Sequence, residues 1–335
     1  MIRFVIKRLL QMIPVFLGVV LIVFFINKAS GDPVNMLLDL SASEEERQAL
    51  RESMGLDKPF IVQYVNYVVG IVTKFDLGQS YLTKVPIKTE VLTRFPISLK
   101  LAIFSVALAL IIGVPVGVIS ATHQYSRLDY IVTLATLILA AVPAFLFGLL
   151  LIILFSSQLK ILPASGLDTW KHWILPVISL AVPPIAMLCR TTRSNMLEVI
   201  RQDYIRTARA KGLSENTVVV KHALKNALIP ILTIVGIQIA TVIGSSVVIE
   251  AIFTLPGVGT MIRTGVSQSD SPMILGGVVL LALTVSIVNL LVDIAYGFID
   301  PRIRAQYASH GKKKTAAKKA APAAQIAGGS EVDGQ

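Results

Sequence analysis

The chain has 335 residues, of which 54% are hydrophobic and only 15% are charged, and its formal net charge is +11. Soluble domains usually carry about 25% charged residues, so this composition excludes an ordinary soluble domain and predicts a membrane protein. The net positive charge does not imply nucleic-acid binding, because the basic loops and tail of a membrane protein can account for it. A single cysteine excludes an internal disulfide, and no Cys/His cluster with metal-ligand spacing occurs.

Six apolar segments predict an all-α polytopic membrane protein with six transmembrane helices. The first, residues 9–26, follows a basic amino terminus. A signal peptide cleaved near Ala29 is the alternative, but about 18 apolar residues exceed the usual 7–15 of such a leader, which favours a span. The remaining predicted spans are residues 98–122, 130–157, 173–189, 229–253 and 273–298.

The segments outside the spans divide the chain into three parts. Residues 1–96 combine the first span with the longest polar region, in which residues 44–46 are all Glu and predict a short exposed helix. Residues 97–300 form the predicted membrane domain. Residues 301–335 are rich in Lys, Ala and Gly and cannot bury a core, so they predict a disordered basic tail.

Basic residues indicate the orientation of the spans. They concentrate at the amino terminus, in residues 190–228 and in the tail, whereas the short loops on the other side hold few. Since short cytoplasmic loops are enriched in Lys and Arg, both termini are predicted to be cytoplasmic. The polar region after the first span is then extracytoplasmic.

The segment 197–230 predicts a basic amphipathic helix–glycine–helix hairpin between two spans. Gly212 predicts a helix stop, Ser214 a cap for a second helix, and Pro230 a turn into the next span. One apolar stripe recurs at helical spacing, formed by Leu197, Ile200, Tyr204 and Ala208. A loop that merely lies on anionic lipid is the alternative interpretation.

Catalytic and nucleotide-binding motifs are missing from the sequence. It contains no GxxxxGK[ST], HExxH or GxSxG pattern, and its four histidines are scattered. Two acidic residues fall within predicted spans, Glu250 and Asp293, and an intramembrane charge is a functional hypothesis by default. For Asp293 a structural ion pair is favoured over a substrate or proton role.

Several motifs in order resemble one family of transport proteins. They include DYIRTARAKGLS at 203–214 with HALKNALIP at 222–230, GDP at 31–33, DLGQS at 76–80, RFP at 94–96, PGVG at 256–259 and DPR at 300–302. Over roughly residues 1–305 the chain resembles the permease subunits of bacterial ABC importers. It is most similar to the first permease of the dipeptide/oligopeptide/nickel group.

The resemblance implies a type I ABC importer permease fold in a bacterial or archaeal plasma membrane. It implies half of a translocation path for di- or oligopeptides, shared with a second permease subunit in a heterodimer. Two cytoplasmic ATPase subunits would use ATP and Mg, an extracytoplasmic substrate-binding protein would deliver the substrate, and this chain would bind no cofactor. Import of nickel chelates or oligosaccharides by the same machinery is the alternative.

In this family a cytoplasmic loop, here residues 190–228, contacts the ATPase. The general pattern of Glu-Ala-Ala, three residues and Gly falls on Arg206-Thr207-Ala208 and Gly212, in the variant typical of the peptide subgroup. The residues implied in coupling are Asp203, Arg206, Thr207, Ala208, Arg209, Gly212 and Ser214. A self-sufficient ion-coupled carrier or channel is the rival from another class, and an intramembrane enzyme would need a catalytic pair at membrane depth.

Overall fold

The computed structural model describes residues 2–29, 33–38 and 42–299. Within these ranges the chain forms thirteen α-helices and two π-helical stretches, Ile152–Gln158 and Val218–Leu224, and no β-strand. In chain order the helices are α1 (Ile2–Ala29), α2 (Val34–Leu37), α3 (Glu44–Ser53), α4 (Phe60–Lys74), α5 (Ile87–Thr122), α6 (Arg127–Ala141), α7 (Ala144–Leu151), α8 (Lys171–Ile200), α9 (Asp203–Ala210), α10 (Glu215–Thr217), α11 (Lys225–Ile252), α12 (Val258–Ser267) and α13 (Ser271–Ile299).

The described residues contain six candidate membrane spans if one bent pair of helices is counted as a single span. Five helices are long and apolar enough to cross a membrane alone, over Arg8–Lys28, Ile87–Thr122, Lys171–Ile200, Pro230–Ile252 and Ser271–Val292. The prediction of an all-α protein with six spans is thereby confirmed.

The third predicted span is broken near its middle. Its two halves, Arg127–Ala141 and Ala144–Gln158, meet at an angle of 98°. The break falls at Val142 and Pro143, which have extended or polyproline-like backbones. Pro143 lacks an N–H and disfavours helical geometry in the residue before it, so this short sequence ends one helix and starts the next.

The polar region after α1 folds back onto that helix. The acidic run forms the short helix α3 that the sequence predicts, and Ser43 and Glu46 form a reciprocal capping box at its start. Gly55 then turns the chain with a φ of +66°. The phenol of Tyr64 on α4 donates a hydrogen bond to the carbonyl of Leu17 at 2.9 Å, which ties α4 to α1.

The helices α5 and α8 form the centre of the bundle. A Cβ atom at Gly113 would lie 2.9 Å from the Ile185 carbonyl oxygen, and one at Gly117 would lie 2.6 Å from the Cys189 carbonyl oxygen. The two backbones can approach this closely only because these positions carry no side chain. The buried cluster of Ala109, Leu188 and Ile231 adjoins this crossing, and a larger apolar cluster that includes Leu101, Leu180 and Phe253 lies further along the two helices.

Several predicted boundaries are wrong, and each has a local cause. The predicted span 173–189 continues to Ile200, because no helix breaker intervenes and the polar Thr192 is buried with Met196. Pro230 does not mark a turn, since it lies inside α11. The predicted stripe is split: Leu197 and Ile200 end α8, whereas Tyr204 and Ala208 belong to α9. The predicted tail lies outside the described residues, as does the side chain of Asp293.

Candidate coupling site

The helix α9 has one buried face and one exposed face. Ile205 and Ala208, three residues apart, are buried at 0% and 7% exposure. They pack in a cluster that gathers the ends of α5 and α8, the π-helical second half of the hairpin and the start of α11, through Ala121, Met196, Val218, Val219, Ala223 and Ala227. The helix is therefore fixed to the bundle by its apolar side. Of the predicted coupling residues, Ala208 belongs to this anchoring face.

The opposite face of α9 is polar and open to solvent. Asp203 and Arg206 lie one turn apart with their charged atoms 3.8 Å apart, and their side chains are 97% and 76% exposed. Thr207 is exposed too, and its hydroxyl donates to the Asp203 carbonyl at 3.0 Å. An ion pair this exposed is worth about 0–1 kcal/mol, so it leaves both side chains free to meet a partner.

Arg209 is engaged inside the hairpin. Its Nη2 and Nε atoms donate to the two carboxylate oxygens of Glu215 at 2.6 and 3.0 Å. The hydrogen bond from Arg209 holds the pKa of the Glu215 carboxyl below its usual value. This bidentate pair closes the turn between α9 and α10. Arg206 is therefore the arginine of α9 that is better placed to donate outward.

Gly212 and Ser214 shape the turn between the two helices. Gly212 has a φ of +77°, the left-handed conformation predicted for a glycine helix stop. A Cβ atom built on it would meet no atom of the described residues within 4 Å. Ser214 occupies the N-cap position of α10, but its hydroxyl contacts the Thr217 hydroxyl at 2.9 Å instead of a backbone N–H. The predicted position of the cap is confirmed, and the predicted capping bond is not seen.

The second half of the hairpin is continuous with a membrane span. The chain passes from α10 through the π-helical stretch Val218–Leu224 into α11 with helical backbone angles at both junctions. Such π-helical turns are rare in proteins as a whole, and those that occur are often found at functional sites. No loop therefore separates Gly212 and the turn around it from the span that reaches Ile252.

An ion pair missed by the sequence analysis lies beside the hairpin. Arg193 on α8 donates from Nε and Nη2 to the two carboxylate oxygens of Asp129 on α6, both at 2.7 Å. Ser120 Oγ and the Tyr125 N–H donate to the same carboxylate at 2.5 and 3.0 Å. Asp129 is 3% exposed. We call Asp129 with Arg193 the clasp; the one sequence signal was Ser126, which caps the helix three residues before Asp129.

A second buried carboxylate lies at the other end of α11. Glu250 is 0% exposed and accepts hydrogen bonds from the backbone N–H groups of Gly259 at 2.8 Å and Thr260 at 3.3 Å. Ser246 Oγ donates to its other oxygen at 3.1 Å. The carboxylate thus caps the first turn of α12, where negative charge is favoured. This arrangement explains why Glu250 is followed by the glycine-rich segment at 256–259.

Two protein families match most of this chain. Residues 113–305 match the family described as "Binding-protein-dependent transport system inner membrane component". Residues 1–102 match "Binding-prot-dependent transport system membrane comp, N-term". The matched ranges together include the spans, the hairpin and the polar region after α1.

Curated relatives align along almost their whole length. The chain is 42% identical to the oligopeptide transport system permease protein AppB of Bacillus subtilis (strain 168), over 90% of this chain and 99% of that protein. It is 36% identical to the dipeptide transport system permease protein DppB of Escherichia coli (strain K12), over 91% of this chain and 99% of that protein.

A solved structure supports the fold. The chain is similar to the MetNI methionine ABC transporter in an inward-facing conformation, with a TM-score of 0.51 and 19% identity, over 61% of this chain and 93% of that one. The chain therefore belongs to the family of binding-protein-dependent transport system inner membrane components, and it is a permease of an ABC importer.

Proposed function

We propose that this permease forms half of a translocation path for di- and oligopeptides, together with a second permease subunit. Two cytoplasmic ATPase subunits drive it with ATP and Mg, and this chain itself binds no cofactor and catalyses no reaction. In this proposal residues 1–96 serve an extracytoplasmic partner, residues 97–300 form the path, and both termini are cytoplasmic. The relatives at 42% and 36% identity, named for oligopeptide and dipeptide transport, support the substrate class.

The two-faced helix α9 carries the proposed coupling role. Its apolar face is buried in a cluster shared with α5 and α8, so a displacement of α9 must move those spans or break the cluster. Its polar face, with Asp203 and Arg206, has no such attachment and is available to an ATPase. A loop that only lay on lipid would turn its apolar face to the bilayer, and here that face is covered by protein.

A cleft on the opposite side of the bundle is the proposed contact for a substrate-binding protein. It has a volume of about 690 Å³ and lies between α3, α4 and the start of α13, with Lys58 and Lys84 among its lining residues. Tyr67 also lines the cleft, and its hydroxyl is buried with no hydrogen-bond partner among the described residues. Burial raises the pKa of this phenol above its usual range, so it stays a neutral donor.

Purification of the complex tests the assignment. A tagged copy of this chain, expressed with its genomic neighbours, is expected to copurify with two ATPase subunits and a second permease. In proteoliposomes with the cognate binding protein, it is expected to accumulate radiolabelled tri-alanine only when ATP and Mg are supplied on the ATPase side. Uptake driven by an ion gradient without ATP would contradict the proposal and favour the ion-coupled carrier.

Labelling of a cysteine in α3 tests the orientation. Ser43 is left intact because it caps this helix, and the exposed Glu45 is replaced by Cys instead. The buried Cys189 is replaced by Ala, so that the introduced cysteine is the one that reacts. A membrane-impermeant maleimide is expected to label it in cells whose outer membrane is permeabilised and whose inner membrane is intact. An Arg206→Cys variant is the control and should react only after the inner membrane is opened. The reverse pattern would contradict the topology.

A further inference from the structure

The helix α6 has little apolar attachment to the bundle within this chain. Its two buried residues are polar, Asp129 and Thr136. Large hydrophobic residues along it are exposed instead, including Ile131 at 67% and Leu134 at 60%. A helix held this weakly by packing depends on specific polar contacts for its position. The clasp is the strongest of these contacts in the described structure.

The clasp satisfies its carboxylate completely. An ionised carboxylate offers about four acceptor positions, and the two Arg193 donors, Ser120 Oγ and the Tyr125 N–H fill them. The two parallel bonds from Arg193 fix the angle of α6 relative to α8 as well as the distance between them. A single cation at this position, such as Lys, would hold the distance without fixing the angle.

The clasp adjoins the cluster that anchors α9. Ser120 precedes Ala121, and Arg193 lies one turn before Met196; both Ala121 and Met196 belong to the cluster that buries Ile205. At the same level Gly117 lets α5 touch α8, since a Cβ there would lie 2.7 Å from the Thr192 Cβ. The hairpin, the ends of α5 and α8 and the first turn of α6 therefore form one block.

We propose that the clasp is the positioning element that makes the broken span α6–α7 follow the movement of the coupling hairpin. This inference rests on the proposed function. When an ATPase displaces α9, α8 moves with it through the apolar cluster, and the clasp carries α6 along. The extended backbone at Val142 and Pro143 separates α6 from α7, so α6 follows α8 through the clasp and not through helical continuity with the rest of its span.

The test measures whether α6 and the hairpin move together. Spin labels are placed on exposed residues of the two elements, at Ile131 on α6 and Val220 in the π-helical stretch, in the full complex with Cys189→Ala. Pulsed electron resonance gives the distance between the labels without nucleotide and after trapping with ATP and vanadate. In the otherwise unchanged complex this distance is expected to stay the same in both states. A change in this complex overturns the proposal.

Two substitutions break the clasp in different ways. Asp129→Asn keeps the shape of the side chain but places its amide donor against an Arg193 donor in either orientation of the amide. Arg193→Lys keeps the charge and removes the bidentate geometry. In both variants the distance between the labels is expected to change on trapping, and tri-alanine uptake per ATP hydrolysed is expected to fall about tenfold. An unchanged distance in both variants overturns the proposal.

A double variant separates positioning from stability. In Asp129→Asn with Arg193→Met neither partner is left as an unpaired buried charge, so the Tm of the complex should recover relative to Asp129→Asn alone. Uptake per ATP is expected to remain low, because the ion pair between α6 and α8 is still missing. Recovery of both uptake and Tm would show that the pair is purely structural and would overturn the inference. Arg127→Ala, at an exposed position in the same turn, is the matched control and should resemble the parent complex.

The proposal and the proposed function fail in different ways. A parent complex that lacks ATPase subunits, or that shows no response to ATP, contradicts the proposed function itself. A parent complex that transports normally, with variants that transport equally well per ATP, contradicts only the role of the clasp. If Asp129→Asn prevents assembly, Arg193→Lys decides the outcome by the same criteria.

Discussion

Gly212→Asp is expected to leave the permease in the membrane while reducing ATP-driven uptake by at least about tenfold. A Cβ atom at Gly212 has no atom of the described residues within 4 Å, so the new side chain starts in open space. Its cost inside the chain is the left-handed backbone, about 1–2 kcal/mol for a residue with a side chain, and less for Asp, which tolerates this conformation. A large loss of transport would therefore come from a side chain and a charge that obstruct a partner. Membrane abundance, ATPase copurification and uptake per ATP are measured together.

Gly55→Asp is the matched control for this prediction. Gly55 also has a positive φ, +66°, with nothing within 4 Å of a built Cβ, and it lies in the turn between α3 and α4. The backbone cost is the same in kind, so Gly55→Asp should show the same stability with ATPase binding intact. Normal uptake by Gly212→Asp would exclude Gly212 from the contact with the ATPase.

Gly259→Ala is expected to destabilise the permease itself, by about 3 kcal/mol. The added methyl group would overlap the Val247 backbone and press on the Glu250 carboxylate, which caps α12. The carboxylate has no exposed position to which it can withdraw, because it is 0% exposed. The expected result is a lower yield of membrane-inserted protein and a lower Tm of the purified complex in detergent.

Gly244→Ala serves as the comparison for Gly259→Ala. Gly244 lies within α11, and a Cβ built there has nothing within 4 Å. The substitution should leave the Tm unchanged or raise it slightly, since Ala favours a helix by about 1 kcal/mol over Gly. Equal Tm values for the two variants would show that the segment 256–259 is not packed on Glu250 as described.

The sequence predicts the number and order of the spans because apolar length is a direct physical requirement of the bilayer. It also predicts the glycine turn of the hairpin and the short exposed helix α3, where local backbone chemistry decides the outcome. Hydropathy does not predict where the helices end. Residues 190–195 are all polar, so the sequence predicts that the loop begins at residue 190, yet α8 continues to Ile200 with Thr192 and Met196 buried.

The polar contacts of the bundle could not be predicted from sequence. Asp129 and Arg193 are 64 positions apart, and nothing local marks them as partners. Glu250 was visible as a charge in an apolar segment, but its role depends on how the chain turns after Phe253 to bring the Gly259 N–H back to it. In both cases the information lies in the packing of distant segments. Composition and periodicity describe only one segment at a time.

The continuity of the hairpin with α11 has a mechanical consequence. From Glu215 to Ile252 the backbone is helical without interruption, a path of roughly 55 Å at 1.5 Å per residue. A rigid rod of that length tilted by about 5° at one end carries its far end through roughly 5 Å, close to one helical turn. Two positions in this helical segment are the ones at which it would bend most easily: the π-helical stretch close to Gly212, and Pro230 inside α11. A substitution that makes either position stiffer should therefore increase the displacement of Glu250 for the same displacement of the hairpin. A substitution that makes either position more flexible should reduce that displacement.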